Sequence, residues 1–148
     1  PRVEALFLGA EDLTSDMRAK RTKAGHEISY SRARIVSCAR AAGVEVYDTP
    51  FTDVNDEEGI EADTALAKSM GFTGKASISP RHVPVINRLF SPTEEEIEYA
   101  LEVLDIIEEA RRQGKGAISL RGKMIDKPIV DRARFVLQTA KMLGGEEA

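Results

Sequence analysis

The chain contains one cysteine, no tryptophan and no apolar run long enough to span a bilayer. A single cysteine cannot form a disulfide within the chain, which excludes the small secreted domains that disulfides stabilise. Cys38 lies among Ile35, Val36 and Ala39 on a predicted helix, so we expect it to be buried and inert. Because neither a signal peptide nor a membrane-spanning run is seen, the expected location is the cytoplasm.

Basic residues are too few and too dispersed for a nucleic-acid-binding surface. The 148 residues include 25 acidic and 21 basic side chains, which gives a net charge of −4. No basic stripe with interleaved aromatic residues occurs, so neither nucleic acid nor a membrane surface is an expected partner. With 42% hydrophobic and 31% charged residues, the composition is that of one globular domain that can bury a core.

Short apolar runs alternate with helical patterns along the first part of the chain. Three strands are predicted at residues 3–8, 44–47 and 72–79. Two helices lie between them, at residues 27–42 and 60–70, and a glycine follows each helix. Strands joined by crossover helices form a parallel sheet, so the predicted class is α/β. Later, Thr93 and Glu96 form a capping box that opens a long helix, and Pro128 opens the last one.

Two carboxylates follow the first predicted strand. The apolar residues 3–8 predict a short buried strand, and Gly9 breaks this run. Glu11 and Asp12 follow at the strand end that faces the active site in α/β folds. Carboxylate oxygens are hard ligands suited to Mg²⁺, so the pair is a candidate metal site. Both acids could instead stabilise the free N–H groups of a short following helix. The residues alone leave both interpretations open.

Two further segments have alternative interpretations. Residues 18–25 form the locally cationic stretch of the chain, and their lack of period predicts a loop. Arg18 and Arg21 of this loop are candidates for binding a phosphate group, although a purely solvated loop fits equally well. Asp126 precedes the last predicted helix, where an acidic residue commonly acts as an N-cap.

Several short motifs occur in a fixed order along nearly the whole chain. They are Gly-Ala-Glu-Asp at 9–12, Tyr-Asp-Thr at 47–49, Gly-Phe-Thr-Gly-Lys at 71–75, Ser-Pro-Thr-Glu-Glu-Glu at 91–96 and Gly-Lys-Met-Ile-Asp-Lys-Pro at 122–128. In this order they resemble the C-terminal half of the citrate lyase β-subunit family, which belongs to the HpcH/HpaI-type aldolases with the citramalyl- and malyl-CoA lyases. Ser-Pro-Arg at 79–81 resembles the citrate lyase branch more than the malyl-CoA branch.

The fold implied by this resemblance is a (β/α)₈ TIM barrel, which needs about 250 residues. We therefore expect residues 1–90 to form the C-terminal part of such a barrel, with about three parallel strands, and residues 91–148 to form a helical lid extension. The resemblance also implies a homo-oligomer, a trimer or larger, whose lid reaches a neighbouring subunit. Acyl-carrier and transferase subunits would be further partners in a citrate lyase complex. Three strands alone expose two sheet edges, so we expect self-association or pairing with a chain that carries the first half.

The activity implied by the resemblance is Mg²⁺-dependent cleavage of a citryl thioester to oxaloacetate and an acetyl thioester, carried on CoA or on a carrier-protein phosphopantetheine arm. Asp12 would bind the metal together with a glutamate outside this chain. The backbone N–H groups of Glu11 and Asp12 would face the keto-acid carboxylate, and Asp126 would exchange a proton with the thioester α-carbon. Alternatives are a citramalyl- or malyl-CoA lyase, and a non-catalytic fragment or interaction module.

Overall fold

The structure is a computed structural model that describes residues 2–114 and 118–144. The chain falls into two units, Pro1–Phe90 and Ser91–Ala148, and each has its own hydrophobic core. The division coincides with the predicted boundary, but the assignment of the two units to a barrel segment and a lid stays a prediction. Within the described ranges, no helix combines the length and apolar character needed to cross a membrane.

The first unit contains a three-stranded parallel sheet with strand order β1-β2-β3. In chain order its elements are β1 (Ala5–Phe7), α1 (Ala10–Asp16), a 3₁₀ turn (His26–Ile28), α2 (Ser29–Ala42), β2 (Glu45–Asp48), α3 (Glu57–Met70), β3 (Gly74–Lys75), a second 3₁₀ turn (Pro80–His82) and α4 (Val83–Phe90). Phe7 pairs with Tyr47, and Tyr47 pairs with Gly74. The predicted parallel sheet with crossover helices is confirmed.

Helix α3 and strand β3 begin or end away from their predicted bounds because of local hydrogen bonds. Helix α3 starts three residues earlier than predicted, because the Asp56 side chain accepts a hydrogen bond from the Gly59 N–H at 2.9 Å. Strand β3 is shorter than predicted. The Ser77 hydroxyl donates to the Ser79 carbonyl at 2.7 Å and accepts from the Ser79 N–H, which turns the chain before Pro80.

Two burial predictions are wrong. Cys38 is exposed on α2. Val36 and Ala39 are three residues apart and both face the core, whereas position 38 lies on the other side of the helix. Strand β1 is not a fully buried strand either, since Phe7 is 53% exposed.

The sheet of the first unit buries one face and leaves the other exposed. Val46 is fully buried against α2 and α3, in a cluster that includes Val36, Ala39, Ala67 and Phe72. Side chains alternate along a strand, so the neighbours of Val46 in β2 point to the opposite face. There Tyr47 is 41% exposed beside the exposed Phe7. Gly74 fits next to Tyr47 because a Cβ at this position would lie 3.0 Å from the ring.

Four buried side chains of opposite charge lie at the carboxyl ends of β2 and β3, and we call them the buried charge tetrad (Arg32, Asp48, Asp63 and Lys75). Arg32 donates to Asp48 through Nε at 3.0 Å and Nη2 at 2.8 Å, and to Asp63 Oδ1 at 2.7 Å. Lys75 Nζ donates to Asp48 Oδ2 at 2.8 Å and to Asp63 Oδ2 at 2.6 Å. None of the four is more than 9% exposed, and their formal charges cancel.

The ionisation of the tetrad follows from its pairing. Burial raises the pKa of the Asp63 carboxyl, but the charges and hydrogen bonds of Lys75 and Arg32 outweigh burial and hold this pKa below its usual value. Burial lowers the pKa of the Arg32 guanidinium, whereas Asp48 and Asp63 raise it above its ordinary value. Arg32 and Asp63 are therefore both charged at neutral pH, and the tetrad connects α2, α3, β2 and β3.

The second unit pairs two helices around a short hairpin. Its elements are α5 (Glu94–Gln113), β4 (Ser119–Leu120), β5 (Lys123–Met124) and α6 (Lys127–Gly144). The predicted capping box of α5 is present, since Thr93 Oγ1 accepts the Glu96 N–H at 3.1 Å and Glu96 Oε2 accepts the Thr93 N–H at 2.9 Å. Arg121 and Gly122 turn the hairpin with φ values of +49° and +78°. Its two-residue strands carry no sequence pattern long enough to predict.

The tetrad predicts that losing one charge is more harmful than losing an opposite pair. Asp63→Leu leaves a net positive charge in the core, so we expect the free energy of unfolding to fall by about 3–5 kcal/mol. Adding Lys75→Met removes the surplus charge and should recover much of this loss, because replacing a complete buried ion pair with apolar residues is often neutral. Urea denaturation of both variants measures the difference. A double variant that shows the summed losses of the two single variants would contradict this explanation.

Candidate functional site

The two acids that follow β1 have different surroundings. Helix α1 begins at Ala10, so Glu11 and Asp12 both lie in its first turn, and the N-cap Gly9 provides no side-chain cap. Glu11 Oε1 lies 3.3 Å from Arg21 Nε. Asp12 is exposed, and its carboxylate makes no hydrogen bond or ion pair with another described residue. Both acids complement the helix dipole, but Asp12 alone of the pair has a carboxylate available for a ligand.

The chemistry of Asp12 fits a hard cation. Its carboxylate is exposed near the carboxyl end of β1, and the donor oxygens are of the type that Mg²⁺ prefers. Across residues 2–114 and 118–144, no group of three or more histidine, cysteine or acidic side chains could hold a metal ion. Asp12 would therefore be one ligand among others that these residues do not supply.

The position of Asp12 depends on contacts made by Ala10. Ala10 is 1% exposed and packs with Leu8 and Ile28. Its carbonyl accepts a hydrogen bond from the Thr14 hydroxyl at 2.8 Å, and its N–H donates to Thr49 Oγ1 at 3.4 Å. The first turn of α1 is thus connected to the residue that follows β2.

The cationic segment is a loop as predicted, but two of its charges are already paired. Arg21 Nη1 donates to Glu27 Oε1 at 2.8 Å, and the Arg21 side chain is only 18% exposed. Lys23 Nζ bridges Asp53 and Asp56 at 2.7 Å each. Arg18 is exposed and makes no ion pair with another described residue. Arg18 thus has the charge available for a phosphate group, whereas Arg21 is held by carboxylates; a substrate-binding role for either stays a prediction.

Glu27 organises the start of α2 by accepting several hydrogen bonds. Its Oε1 accepts the Thr22 N–H, and its Oε2 accepts the Thr22 hydroxyl, both at 2.8 Å. Burial raises the pKa of the Glu27 carboxyl, but the hydrogen bonds from Thr22, from its own backbone and from Arg21 lower it to about 2. Glu27 therefore stays ionised well into the acidic range and keeps the loop closed onto the helix.

Asp126 caps α6. Its Oδ1 accepts the Ile129 N–H at 3.3 Å, and its carbonyl accepts the Ile129 and Val130 N–H groups at 3.1 Å. The capping interpretation is confirmed, and the Asp126 side chain is exposed. Asp126 also lines a groove of about 490 Å³ within the second unit, together with Arg111 and Arg134.

Sequence reasoning missed the buried charge tetrad, although two of its members have a signal. Arg32 lies four residues after Ile28, and Asp63 lies three residues after Ile60, so both fall on the apolar face of their helix. A charge on such a face requires a buried counter-charge.

His82 was also missed: it is 2% exposed, and neither ring nitrogen has a hydrogen-bond partner among the described residues.

Comparison with known proteins confirms the family resemblance. The HpcH/HpaI aldolase/citrate lyase family model matches residues 1–80. Citrate lyase subunit beta of Haemophilus influenzae is 43% identical over 140 residues, which are 95% of this chain and 48% of that protein. Mitochondrial citramalyl-CoA lyase of Homo sapiens is 34% identical over 138 residues, which are 93% of this chain and 41% of that protein. The chain spans about half the length of the curated relatives it matches.

Solved structures share the fold. CitE from Mycobacterium tuberculosis, in complex with magnesium, acetoacetate and coenzyme A, superposes with a TM-score of 0.74 at 29% identity, over 90% of this chain and 51% of that chain. A citrate lyase from Burkholderia xenovorans LB400 has a TM-score of 0.80 over the whole of this chain and 48% of its own, at 24% identity, which shows likeness of fold alone.

The lowered pKa of Glu27 predicts a pH dependence of stability. A carboxyl whose pKa falls on folding contributes stability above its ordinary pKa, and this contribution is lost as the pH falls from about 4.5 toward about 2. We therefore expect wild type to lose stability over this range more steeply than Glu27→Gln. Thermal unfolding at stepped pH measures both slopes, with Glu4→Gln, at an exposed position before β1, as the control. Parallel curves for wild type and Glu27→Gln would refute the assignment.

Proposed function

Because this chain belongs to the HpcH/HpaI aldolase/citrate lyase family, we propose that it is part of a Mg²⁺-dependent lyase that cleaves a citryl thioester into oxaloacetate and an acetyl thioester. The available carboxylate of Asp12, beside a Glu11 that is paired with Arg21, is the observation that carries this proposal. The relatives named citrate lyase subunit beta support the substrate class. The CitE complex supports magnesium and a CoA-type carrier, with a carrier-protein arm as the alternative.

In the proposed reaction, a carbon–carbon bond of the citryl group breaks. The tertiary hydroxyl passes its proton to a general base, its oxygen becomes the ketone of oxaloacetate, and the bonding electron pair passes to the carbon beside the thioester. Mg²⁺, when bound, polarises the oxygen that becomes the ketone. Asp12 would supply one of its ligands. Asp126 would deliver a proton to the thioester α-carbon, a type of help worth about 10²–10⁴-fold.

We also propose that the described residues form only part of the working site. They contain no complete metal-ligand cluster, and the first unit would contribute strands to a larger TIM barrel. The exposed apolar side chains of Phe7 and Tyr47 on one sheet face support burial of this face inside a larger barrel. The second unit would act as a lid on a neighbouring subunit of a trimer or larger homo-oligomer. Acyl-carrier and transferase subunits would complete a citrate lyase complex.

The two acids of α1 provide a matched test of the metal site. In the full-length protein that contains this chain, we expect Asp12→Asn to weaken Mg²⁺ binding by more than about 100-fold, since losing an outer-shell partner alone costs about 10–100-fold. Glu11→Gln should keep Mg²⁺ binding, because in this proposal the Glu11 carboxylate pairs with Arg21 and would not be a ligand. Calorimetric titration measures the affinity, and oxaloacetate release from citryl-CoA measures turnover. Equal Mg²⁺ affinity in wild type and Asp12→Asn would contradict the proposal.

Supplying each thioester separately decides between the related activities. Pyruvate release from citramalyl-CoA, without oxaloacetate release from citryl-CoA, would identify a citramalyl-CoA lyase, the second candidate, which the 34% identical human relative supports. Glyoxylate release from malyl-CoA alone would identify a malyl-CoA lyase. The 148-residue chain tested alone should show no Mg²⁺-stimulated turnover, because it lacks a complete cluster among its described residues. Turnover by this chain alone would refute the proposal that these residues form only part of the working site.

Asp126→Asn separates the catalytic role of this residue from its capping role. Asparagine caps a helix about as well as aspartate, so the melting temperature should stay near that of wild type. The amide cannot donate the proton, so turnover should fall by about 10²–10⁴-fold while Mg²⁺ affinity is unchanged. Asp131→Asn, one turn further along α6, is the control. Wild-type turnover in Asp126→Asn would exclude Asp126 as the proton donor.

A further inference from the structure

Thr49 connects the buried charge tetrad to the helix that carries Asp12. It directly follows Asp48 and is 1% exposed. Its carbonyl accepts a hydrogen bond from Lys75 Nζ at 2.7 Å, and its hydroxyl oxygen accepts the Ala10 N–H at 3.4 Å. One residue therefore contacts the tetrad through its backbone and the start of α1 through its side chain.

Helix α1 needs this contact because it lacks a local cap. Serine, threonine, aspartate and asparagine are strongly preferred at the N-cap, because their side chains accept one of the free N–H groups of the first turn. Here the N-cap is Gly9, which provides no such side chain. The N–H of Ala10 is accepted instead by Thr49, 39 residues further along the chain. A helix of seven residues is too short to fix its own position in water.

The position of Thr49 is set in turn by the charges around it. The side chain of Lys75 is fully buried, and its ammonium group donates to Asp48, Asp63 and the Thr49 carbonyl. Such a donor, surrounded by three acceptors at 2.6–2.8 Å, has little freedom to move. The Thr49 backbone is therefore held in register with β2 and β3, and its hydroxyl holds the first turn of α1.

We infer that Thr49 is a positioning residue for Asp12: its hydroxyl replaces the missing N-cap of α1 and holds the backbone of the first turn, which carries Asp12, relative to the carboxyl ends of β2 and β3. The importance of Asp12 rests on the proposed function, whereas the contact between Thr49 and α1 does not. Thr49 touches neither a substrate nor a metal in this role. Its effect on Mg²⁺ binding passes through the backbone of Ala10.

Thr49→Val tests this role because valine keeps the shape and removes the hydroxyl. In the full-length protein, we expect amide hydrogen exchange in the peptide that contains Ala10 to Asp12 to accelerate about 2- to 10-fold, as for the loss of one hydrogen bond. The Mg²⁺ dissociation constant should rise by a similar factor. Thr49→Ser retains the hydroxyl and should restore both values to near those of wild type.

A second buried threonine provides the matched control. Thr64 is fully buried in α3, and its hydroxyl donates to the Ile60 carbonyl at 2.6 Å within the same helix. Thr64→Val should leave exchange at α1 and Mg²⁺ affinity unchanged, whatever it does to the melting temperature. Unchanged exchange at α1 in Thr49→Val, or equal acceleration in Thr64→Val, would overturn the inference. If wild type binds no Mg²⁺, the proposed function fails, and the exchange measurement still decides the role of Thr49.

Discussion

Two carboxylates and two cations can be buried together only if each charge directly faces an opposite one. Removing an ion from water costs several kcal/mol, so Arg32, Asp48, Asp63 and Lys75 stabilise the fold only in the arrangement that brings all four together. The strands contribute little by themselves, since β1, β2 and β3 have three, four and two residues. The carboxyl edge of the sheet is thus fixed largely by electrostatic pairing between helices and strand ends.

Pairing with an opposite charge also distinguishes residues of like charge near the candidate site. Glu11 and Asp12 are adjacent acids, yet Arg21 occupies the first and leaves the second available. The cationic loop likewise has less free charge than its composition indicates, because carboxylates from three separate segments hold Arg21 and Lys23. Which charge can meet a ligand is decided by its neighbours in space.

Local chemistry could be predicted from the sequence, and distant pairing could not. The capping box at Thr93 and the crossover helices rest on contacts a few residues apart, and both are confirmed. The tetrad joins residues 12 to 31 positions apart, so no short window contains it. Cys38 shows a different limit, because apolar neighbours in sequence do not specify which side of a helix a residue occupies. The placement of Asp12 after β1 was predictable, but its difference from Glu11 required the position of Arg21.

The bridge from Lys23 to Asp53 and Asp56 lies at the surface, whereas the tetrad is shielded from solvent. Dissolved ions screen exposed charges over about 8 Å at physiological ionic strength, and over shorter distances in concentrated salt. Added salt should therefore weaken the contact between the cationic loop and the segment before α3, while the buried charge tetrad and its contact with Thr49 remain intact. Ionic strength thus acts on the loop that carries Arg18 more strongly than on the buried charges beneath the start of α1, so these two parts of the candidate site respond differently to salt.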